Sequence, residues 1–283
     1  MDPTELDTAG PGPGPSMEIE ADLMVQAPEE IADRAASVGQ ERLGRSLRDV
    51  FITAVIGGVE VSLGGLAAMC VVGAALTAAP RIGLFGALAL GGLVFPVGLL
   101  FVFLGRSELF TENFLIPVIA VLTRERSPGS LVRGWVVTWL GNILGCALVA
   151  ALLSVPHAIG APIVHGYVAY TDYKLAVPVP GLFVSATLAG LVMTVLTWLM
   201  VAVKNAVARV LIIFAAGYPL FAANLSHTII GAALLFAGFI PAHASALLLA
   251  RWLLVATSGN LVGGVGFVTV LRVAQVREKR RVR

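Results

Sequence analysis

Long apolar runs separated by short polar stretches are the feature that most constrains how this chain folds. Of its 283 residues, 58% are hydrophobic and only 13% are charged, and the mean hydropathy is +0.91. A typical soluble domain carries roughly 25% charged residues. A helix of about 20 apolar residues crosses a bilayer, and it satisfies its own backbone groups in lipid. The sequence therefore predicts an all-α membrane protein.

Apolar runs of sufficient length predict six membrane-spanning segments. They lie at residues 50–77, 83–123, 130–153, 181–203, 207–240 and 244–273. Polar residues break the second segment at 105–111 and the fifth at 224–228. Each break leaves an apolar piece that is too short to cross alone. Because irregular backbone at membrane depth is tolerated only where protein or a cavity satisfies it, we expect both breaks to line a cavity.

Two features indicate that the chain consists of two related halves. Broken helices in corresponding positions are typical of inverted repeats with a translocation site between them. The third and sixth segments also share the pattern Gly-Asn-apolar-apolar-Gly, at residues 141–145 and 259–263. The glycines allow close helix approach, and Asn142 and Asn260 can bind backbone groups freed by a neighbouring break. Direct contact of these asparagines with a substrate is the alternative. A transport protein is the class these features favour.

The distribution of charge predicts orientation and domain limits. Lys and Arg concentrate in the loops on one side of the six segments, so the positive-inside rule puts both termini in the cytoplasm. Residues 1–34 are rich in Pro, Gly, Asp and Glu and are expected to form a disordered acidic tail. Residues 35–275 form the transporter domain and 276–283 a basic tail. The first part of the transporter domain, residues 35–49, is either a helix on the membrane surface or a solvated lead into the first segment.

Four charged residues lie in or near the first break, namely Glu60, Arg106, Glu108 and Glu112. A charged side chain at the centre of a bilayer costs about 2.5–3.5 kcal/mol, so these groups should face protein or water rather than lipid. We predict that one of the carboxylates pairs with Arg106 and braces the break. A proton relay and cation binding are the alternatives.

Residues at both breaks and in the third and sixth segments together resemble the formate/nitrite transporter family over residues 35–275. The resemblance rests on Leu109-Phe110-Thr111, Gly141-Asn142, His227 and Gly259-Asn260. It implies an aquaporin-like protomer of six helices with one pore, assembled as a homopentamer in the lipid bilayer of a bacterial inner membrane. Members of this family move small monovalent anions such as formate, nitrite or hydrosulfide.

The resemblance also implies which residues form the pore. Leu109, Phe110 and Thr111 would line it opposite a central histidine, here His227. A bare anion is costly in a narrow apolar pore whereas its neutral acid is not, and a histidine titrates near neutral pH, so it can lend a proton to the anion or polarise it. A structural, hydrogen-bonded histidine is the alternative. The remaining candidates are Leu220, which with Phe110 would form constrictions, and Thr194 and Thr228.

Several positions differ from the better-known members of the family. Those members have an acid directly before the histidine and an Asn four residues after it, whereas this chain has Ser226 and Gly231. Thr194 takes the place of a buried Asn. The outer lysine of the family would fall near Pro178, and Lys174, the nearest cation, is out of register. With the extra charges at the first break, these differences indicate a divergent branch.

Other functions find little support in the sequence. A hydrolase is disfavoured because no apolar segment carries a Gly-x-Ser-Gly nucleophile turn, and nucleotide-driven transport because there is no Gly-x-x-x-x-Gly-Lys-Ser/Thr loop. The histidines have no obvious metal-site spacing. We therefore expect no enzyme activity, cofactor, metal or nucleic-acid partner. The alternative function is an aquaporin-like channel for water or a small neutral solute, which would need no titratable group in its pore.

Overall fold

The computed structural model describes residues 26–282 of the chain, with side chains through residue 278, and it is helical with no strand in that range. The helices in chain order are α1 (Pro28–Gly44), α2 (Leu47–Ala78), α3 (Gly83–Gly92), α4 (Pro96–Gly105), α5 (Ile116–Leu122), α6 (Pro128–Leu153), α7 (Ala161–Ala176), α8 (Val179–Ala202), α9 (Ala206–Ala222), α10 (Thr228–Phe239), α11 (Ala246–Leu261) and α12 (Val270–Val282). Short 3-10 turns span Pro80–Ile82 and Phe110–Phe114, and a π-helical segment, Val262–Thr269, joins α11 to α12.

Five helical stretches are long and apolar enough to cross a membrane. They are Leu47–Ala78, Pro80–Gly105, Pro128–Leu153, Val179–Ala202 and Ala246–Glu278. Shorter apolar helices occupy Phe110–Leu122, Ala206–Ala222 and Thr228–Phe239. Large apolar side chains such as Leu152 and Leu254 are exposed on the outer faces, at 69% and 70% of their surface, as expected of residues that contact lipid or another subunit. The prediction of an all-α membrane protein is confirmed.

The helices α4 and α9 end in the same way. Arg106 follows α4 with a positive φ of 58°, and Asn224 closes the turn after α9 with a φ of 53°. A residue in this left-handed conformation is a common helix C-terminal cap, because its N–H can still bond to a carbonyl of the last turn. The Arg106 N–H bonds to Val102 O, and the Asn224 N–H bonds to Phe221 O at 2.9 Å. At both places the chain therefore leaves the helix abruptly and enters a short irregular stretch.

The first and second halves of the chain pack their helices through equivalent close approaches. A Cβ atom added at Gly141 of α6 would lie 2.6 Å from Ala54 Cβ of α2. One added at Gly259 of α11 would lie 2.6 Å from Ala186 Cβ of α8. Both distances are too short for real carbon atoms, so only glycine allows these helices to come so close. These close contacts place α6 and α11 directly beside the two breaks.

The amino-terminal region differs from the prediction. Residues 28–34 were expected to be disordered, but they form the start of α1, and Ile31 and Ala35 are buried against α5. Pro28 and the acidic residues of the first turn are ordinary helix start signals. The rest of the predicted disordered segment, up to residue 25, lies outside the described residues. At the other end, α12 continues to Val282, so the predicted basic tail is helical as far as it is described.

Candidate functional site

Asn142 holds the first break from the side of α6. Its Oδ1 accepts the Phe110 N–H at 2.8 Å, and its Nδ2 donates to Ala54 O at 2.7 Å and to Glu108 O at 2.8 Å. The side chain is completely buried. One amide thus ties the irregular backbone of the break to α2 and α6. Because both amide hydrogens bond to main-chain carbonyls, they are not free to bind a solute.

Asn260 of α11 holds the second break by the same set of contacts. Its Oδ1 accepts the Thr228 N–H at 2.8 Å, and its Nδ2 donates to Ala186 O at 2.8 Å and to Ser226 O at 3.0 Å. Each of these partners corresponds to one in the first half, as Thr228 does to Phe110 and Ala186 to Ala54. The backbone groups freed by the breaks are therefore satisfied internally, as membrane depth requires.

The two breaks meet at His227 and Thr111. His227 Nε2 lies 2.7 Å from Thr111 Oγ1, and both residues are buried. His227 also caps α10, because its Nδ1 accepts the Ile230 N–H at 3.1 Å. A neutral imidazole that accepts at Nδ1 carries its hydrogen on Nε2, so it donates to the threonine oxygen. The threonine and the histidine that the sequence singled out are thus in direct contact.

The other predicted pore residues are buried but are held in different ways. Leu109, Phe110 and Leu220 belong to the central apolar core, and the Phe110 ring packs edge to face on Phe114 with 4.9 Å between ring centroids. Thr228 Oγ1 lies 2.9 Å from Thr257 Oγ1. Thr194 Oγ1 is buried without a hydrogen-bond partner in the described part of the chain.

The charged residues at the first break pair differently from the prediction. Glu108 forms an ion pair with Arg45, and Glu112 forms one with Arg42, with 3.4 Å between Oε2 and Nη1. Glu60 accepts a hydrogen bond from Ser107 Oγ. The predicted pairing of a carboxylate with Arg106 is wrong.

The reason lies in the backbone. Arg106 occupies the left-handed cap of α4, its side chain is exposed, and it forms no ion pair among residues 26–278. The arginines of α1 supply the positive charges instead. The sequence assigned the region of Arg42 and Arg45 to a membrane surface or to a solvated lead into the first segment, and so did not predict these side chains as partners of the break.

Lys174 is a candidate residue that sequence reasoning discounted. It lies on α7, is 1% exposed, and donates to Asn224 O and, at 3.1 Å, to Ser226 Oγ in the second break. The sequence set Lys174 aside because its register does not match that of the family's outer lysine, whereas the structure buries it at the second break. A signal for it was present, because Tyr167, Tyr170 and Lys174 have the spacing of one buried helix face. No carboxylate pairs with Lys174 in the described structure.

Comparison with known proteins adds independent information. A sequence profile described as Formate/nitrite transporter matches residues 29–274. The formate channel BtFdhC of Bacillus thuringiensis is 28% identical over 253 residues, which cover 85% of this chain and 92% of that protein. A solved FNT family ion channel superposes with a TM-score of 0.73 at 21% identity, covering 85% of this chain and 96% of the other. A pentameric formate channel with formate bound superposes with a TM-score of 0.66 at 18% identity, covering 80% of this chain and 95% of the other.

Proposed function

Because this chain belongs to the formate/nitrite transporter family, we propose that it conducts small monovalent anions, or their weak acids, through a pore centred on His227. The family consists of transporters and channels and not of enzymes. The observation that carries the proposal is the contact of His227 with Thr111, because it joins the two breaks at one buried polar point. Conduction is passive or linked to protons.

The contact between His227 and Thr111 is suited to the passage of a weak acid. An anion that loses its water in an apolar passage incurs a large free-energy cost, whereas the neutral acid does not. The neutral imidazole can donate its Nε2–H to an anion and polarise it, whereas passing a proton to the anion requires the imidazolium form, in which Nδ1 no longer accepts the Ile230 N–H. His227 Nε2 already bonds to a hydroxyl of the facing break, so a small oxyanion could take the place of that hydroxyl contact.

Lys174 supports an anionic solute. A buried ammonium group without a carboxylate partner is unfavourable unless another negative group approaches it. Lys174 contacts only neutral oxygen atoms at the second break, so it would attract an anion towards His227 from that side. Ser226, which stands where the better-known relatives have an acid, leaves Lys174 without a carboxylate partner. Burial lowers the pKa of Lys174 to about 7, so an approaching anion would favour its charged form.

We further propose a protomer of six spans built as an aquaporin-like inverted repeat. The second span would comprise Pro80–Gly105 and Phe110–Leu122, and the fifth Ala206–Ala222 and Thr228–Phe239, each broken where an asparagine binds the backbone. The matched contacts of Asn142 and Asn260 support this symmetry. Both termini would lie in the cytoplasm of a bacterium, with the domain embedded in its inner membrane.

The function is tested by uptake into liposomes that contain the purified protein. Formate, nitrite, acetate and lactate are supplied between about pH 5 and pH 8, because the neutral fraction of a weak acid rises as the pH falls. We expect uptake to rise as the pH falls and to be lost in His227→Asn. The matched control is His243→Asn, because His243 is exposed and its positive φ suits asparagine.

The alternative function, a channel for water or a small neutral solute, predicts a different result. Osmotic swelling would then be fast in the wild type and unchanged in His227→Asn, and none of the four weak acids would enter. That outcome would exclude the anion pathway.

A further inference from the structure

The side-chain amide of Asn224 is buried in the second break without a hydrogen-bond partner. Asn224 is 6% exposed, and neither its Nδ2 nor its Oδ1 bonds to a residue of the described structure. The main-chain groups of the same residue are paired, because its N–H bonds to Phe221 O at 2.9 Å and its carbonyl accepts a hydrogen bond from Lys174 Nζ. A buried amide that has lost its hydrogen bonds to water and gained none destabilises the fold, so its presence needs an explanation.

The other polar side chains of the second break have partners. Ser226 Oγ lies 3.1 Å from Lys174 Nζ and 3.2 Å from Ser185 Oγ, His227 Nε2 lies 2.7 Å from Thr111 Oγ1, and Thr228 Oγ1 lies 2.9 Å from Thr257 Oγ1. The Asn224 amide is therefore the one polar side-chain group that residues 224–228 leave unpaired.

The turn after α9 does not account for this amide. Asn224 has a φ of 53°, a conformation that glycine adopts most easily and asparagine tolerates. A glycine would therefore close α9 equally well and would bury no amide. Arg106 closes α4 in the same conformation with its side chain exposed, so the conformation does not require a buried side chain either. The unpaired amide points instead to a ligand.

Asn224 lies close to the proposed pore. It precedes His227 by three residues, and one ammonium group, that of Lys174, bonds both to its carbonyl and to the hydroxyl of Ser226. Arg106, which takes the same place in the first half, lines a cavity of about 330 Å³ beside the first break. In the inverted repeat proposed above, Asn224 takes the corresponding place on the opposite side of the contact between the two breaks. A solute that has passed His227 would meet this residue next.

The hydrogen-bonding capacity of an amide distinguishes a neutral carboxylic acid from a bare anion. Asn224 offers two donor hydrogens on Nδ2 and an acceptor at Oδ1. A neutral carboxylic acid has a carbonyl that accepts and an O–H that donates, so it can pair with both ends of the amide. A bare anion such as nitrate only accepts, and it would leave Oδ1 unpaired beside a negative charge. Lys174 has donors only, so it attracts either anion and does not make this distinction.

We propose that Asn224 is a specificity residue, whose amide binds the protonated form of a small carboxylic acid through two hydrogen bonds. The proposal rests on the function proposed above and narrows its substrates to carboxylic acids, in preference to inorganic anions that stay unprotonated. It assigns the discrimination to a neutral side chain and not to the cations at the breaks.

The first test measures binding through thermal unfolding of the purified full chain in detergent. Sodium formate or sodium nitrate is added at equal concentration at about pH 5, where more of the formate is protonated than at neutral pH. A ligand that binds only the folded state raises the unfolding temperature, so formate should raise that of the wild type more than nitrate does. In Asn224→Gly this difference should be lost. Without added salt, Asn224→Gly should unfold at the wild-type temperature or above it, because it removes two unpaired buried groups.

The second test measures uptake of formate and of nitrate into liposomes at the same pH. Asn224→Gly should lower the formate-to-nitrate uptake ratio by about tenfold, which is the effect of losing two hydrogen bonds between neutral groups. The matched control is Arg124→Gly. Arg124 is an exposed residue with a φ of 62°, so the control makes the same change of backbone type away from both breaks and should leave the ratio unchanged.

Three results would overturn the proposal. The first is a formate-to-nitrate uptake ratio in Asn224→Gly equal to that of the wild type. The second is an unfolding temperature of Asn224→Gly that falls while its response to formate is kept, because the amide would then stabilise the turn. The third is a wild type that takes up formate and nitrate equally well. These results leave the proposed function intact, whereas a wild type that takes up neither formate nor any other weak acid would overturn that function itself.

Discussion

At the scale of single residues, Asn142 and Asn260 each stabilise one of the two breaks by hydrogen bonds to the backbone. Each amide bonds to an N–H and a carbonyl of a break and to a carbonyl of a neighbouring helix. Each unsatisfied buried polar group costs about 1–3 kcal/mol, so the loss of either side chain leaves two groups of the break without this partner. These contacts agree with the structural role that sequence reasoning offered as one of two possibilities.

Asn142→Ala should therefore destabilise the protein by about 2–5 kcal/mol, because it leaves the buried Phe110 N–H and Glu108 carbonyl of the break without this partner. Thermal unfolding in detergent, followed by circular dichroism, measures the change. The control is Asn205→Ala, which removes only a helix N-cap bond to the Ala208 N–H and should cost about 1 kcal/mol. Equal losses for the two variants would contradict the role assigned to Asn142.

The sequence singled out His227 and Thr111, which lie in contact in the structure, but not the cations that surround the breaks. The polar breaks are visible in the chain itself, and the family resemblance pointed to these two residues within them. Arg42 and Lys174 lie far from their partners in sequence, with Arg42 separated from Glu112 by 70 residues and Lys174 from Ser226 by 52. Only the packing of α1 and α7 brings these side chains to the breaks, and apolar periodicity carries no information about that.

At the scale of elements, the apolar runs predicted the membrane-length helices to within a few residues at most of their ends, because length and hydropathy are local properties. The prediction was wrong for the start of α1. Composition marked residues 28–34 as disordered, whereas small and apolar side chains spaced along one face pack on α5. Whether such a face is buried depends on which helix packs against it, and a local sequence pattern does not identify that helix.

The docking of α1 depends on Gly39, where the helix meets α5 without room for a side chain. Gly39→Ala should separate the two helices, since overpacking of this kind costs about 1–3 kcal/mol, and α1 should become accessible to added protease. Limited proteolysis with mass analysis of the fragments detects the change.

The control for this substitution is Gly266→Ala. A Cβ atom at Gly266 meets nothing within 4 Å, so the protease pattern should stay that of the wild type. Protection of α1 in Gly39→Ala equal to that in the control would show that the close approach is not required for docking.

At the scale of the whole molecule, large apolar side chains cover the outer faces of the helices, and the fold is shared with a channel described as pentameric. We propose that this chain is also a homopentamer with one pore in each protomer. Light scattering with correction for bound detergent should give a protein mass near five times the 29.4 kDa of the chain. A mass of one chain would mean that lipid alone covers these faces.

Because the chain is synthesised from its amino terminus, each cation is made before the break that it contacts. A ribosome delivers Arg42 and Arg45 before it delivers Glu108 and Glu112, and it delivers Lys174 before the backbone of residues 224–226. Chains synthesised from the amino terminus can assemble in the same order. In each half, the positive partner has therefore already left the ribosome when the polar break emerges, and the break can be neutralised or hydrogen-bonded as it enters the membrane.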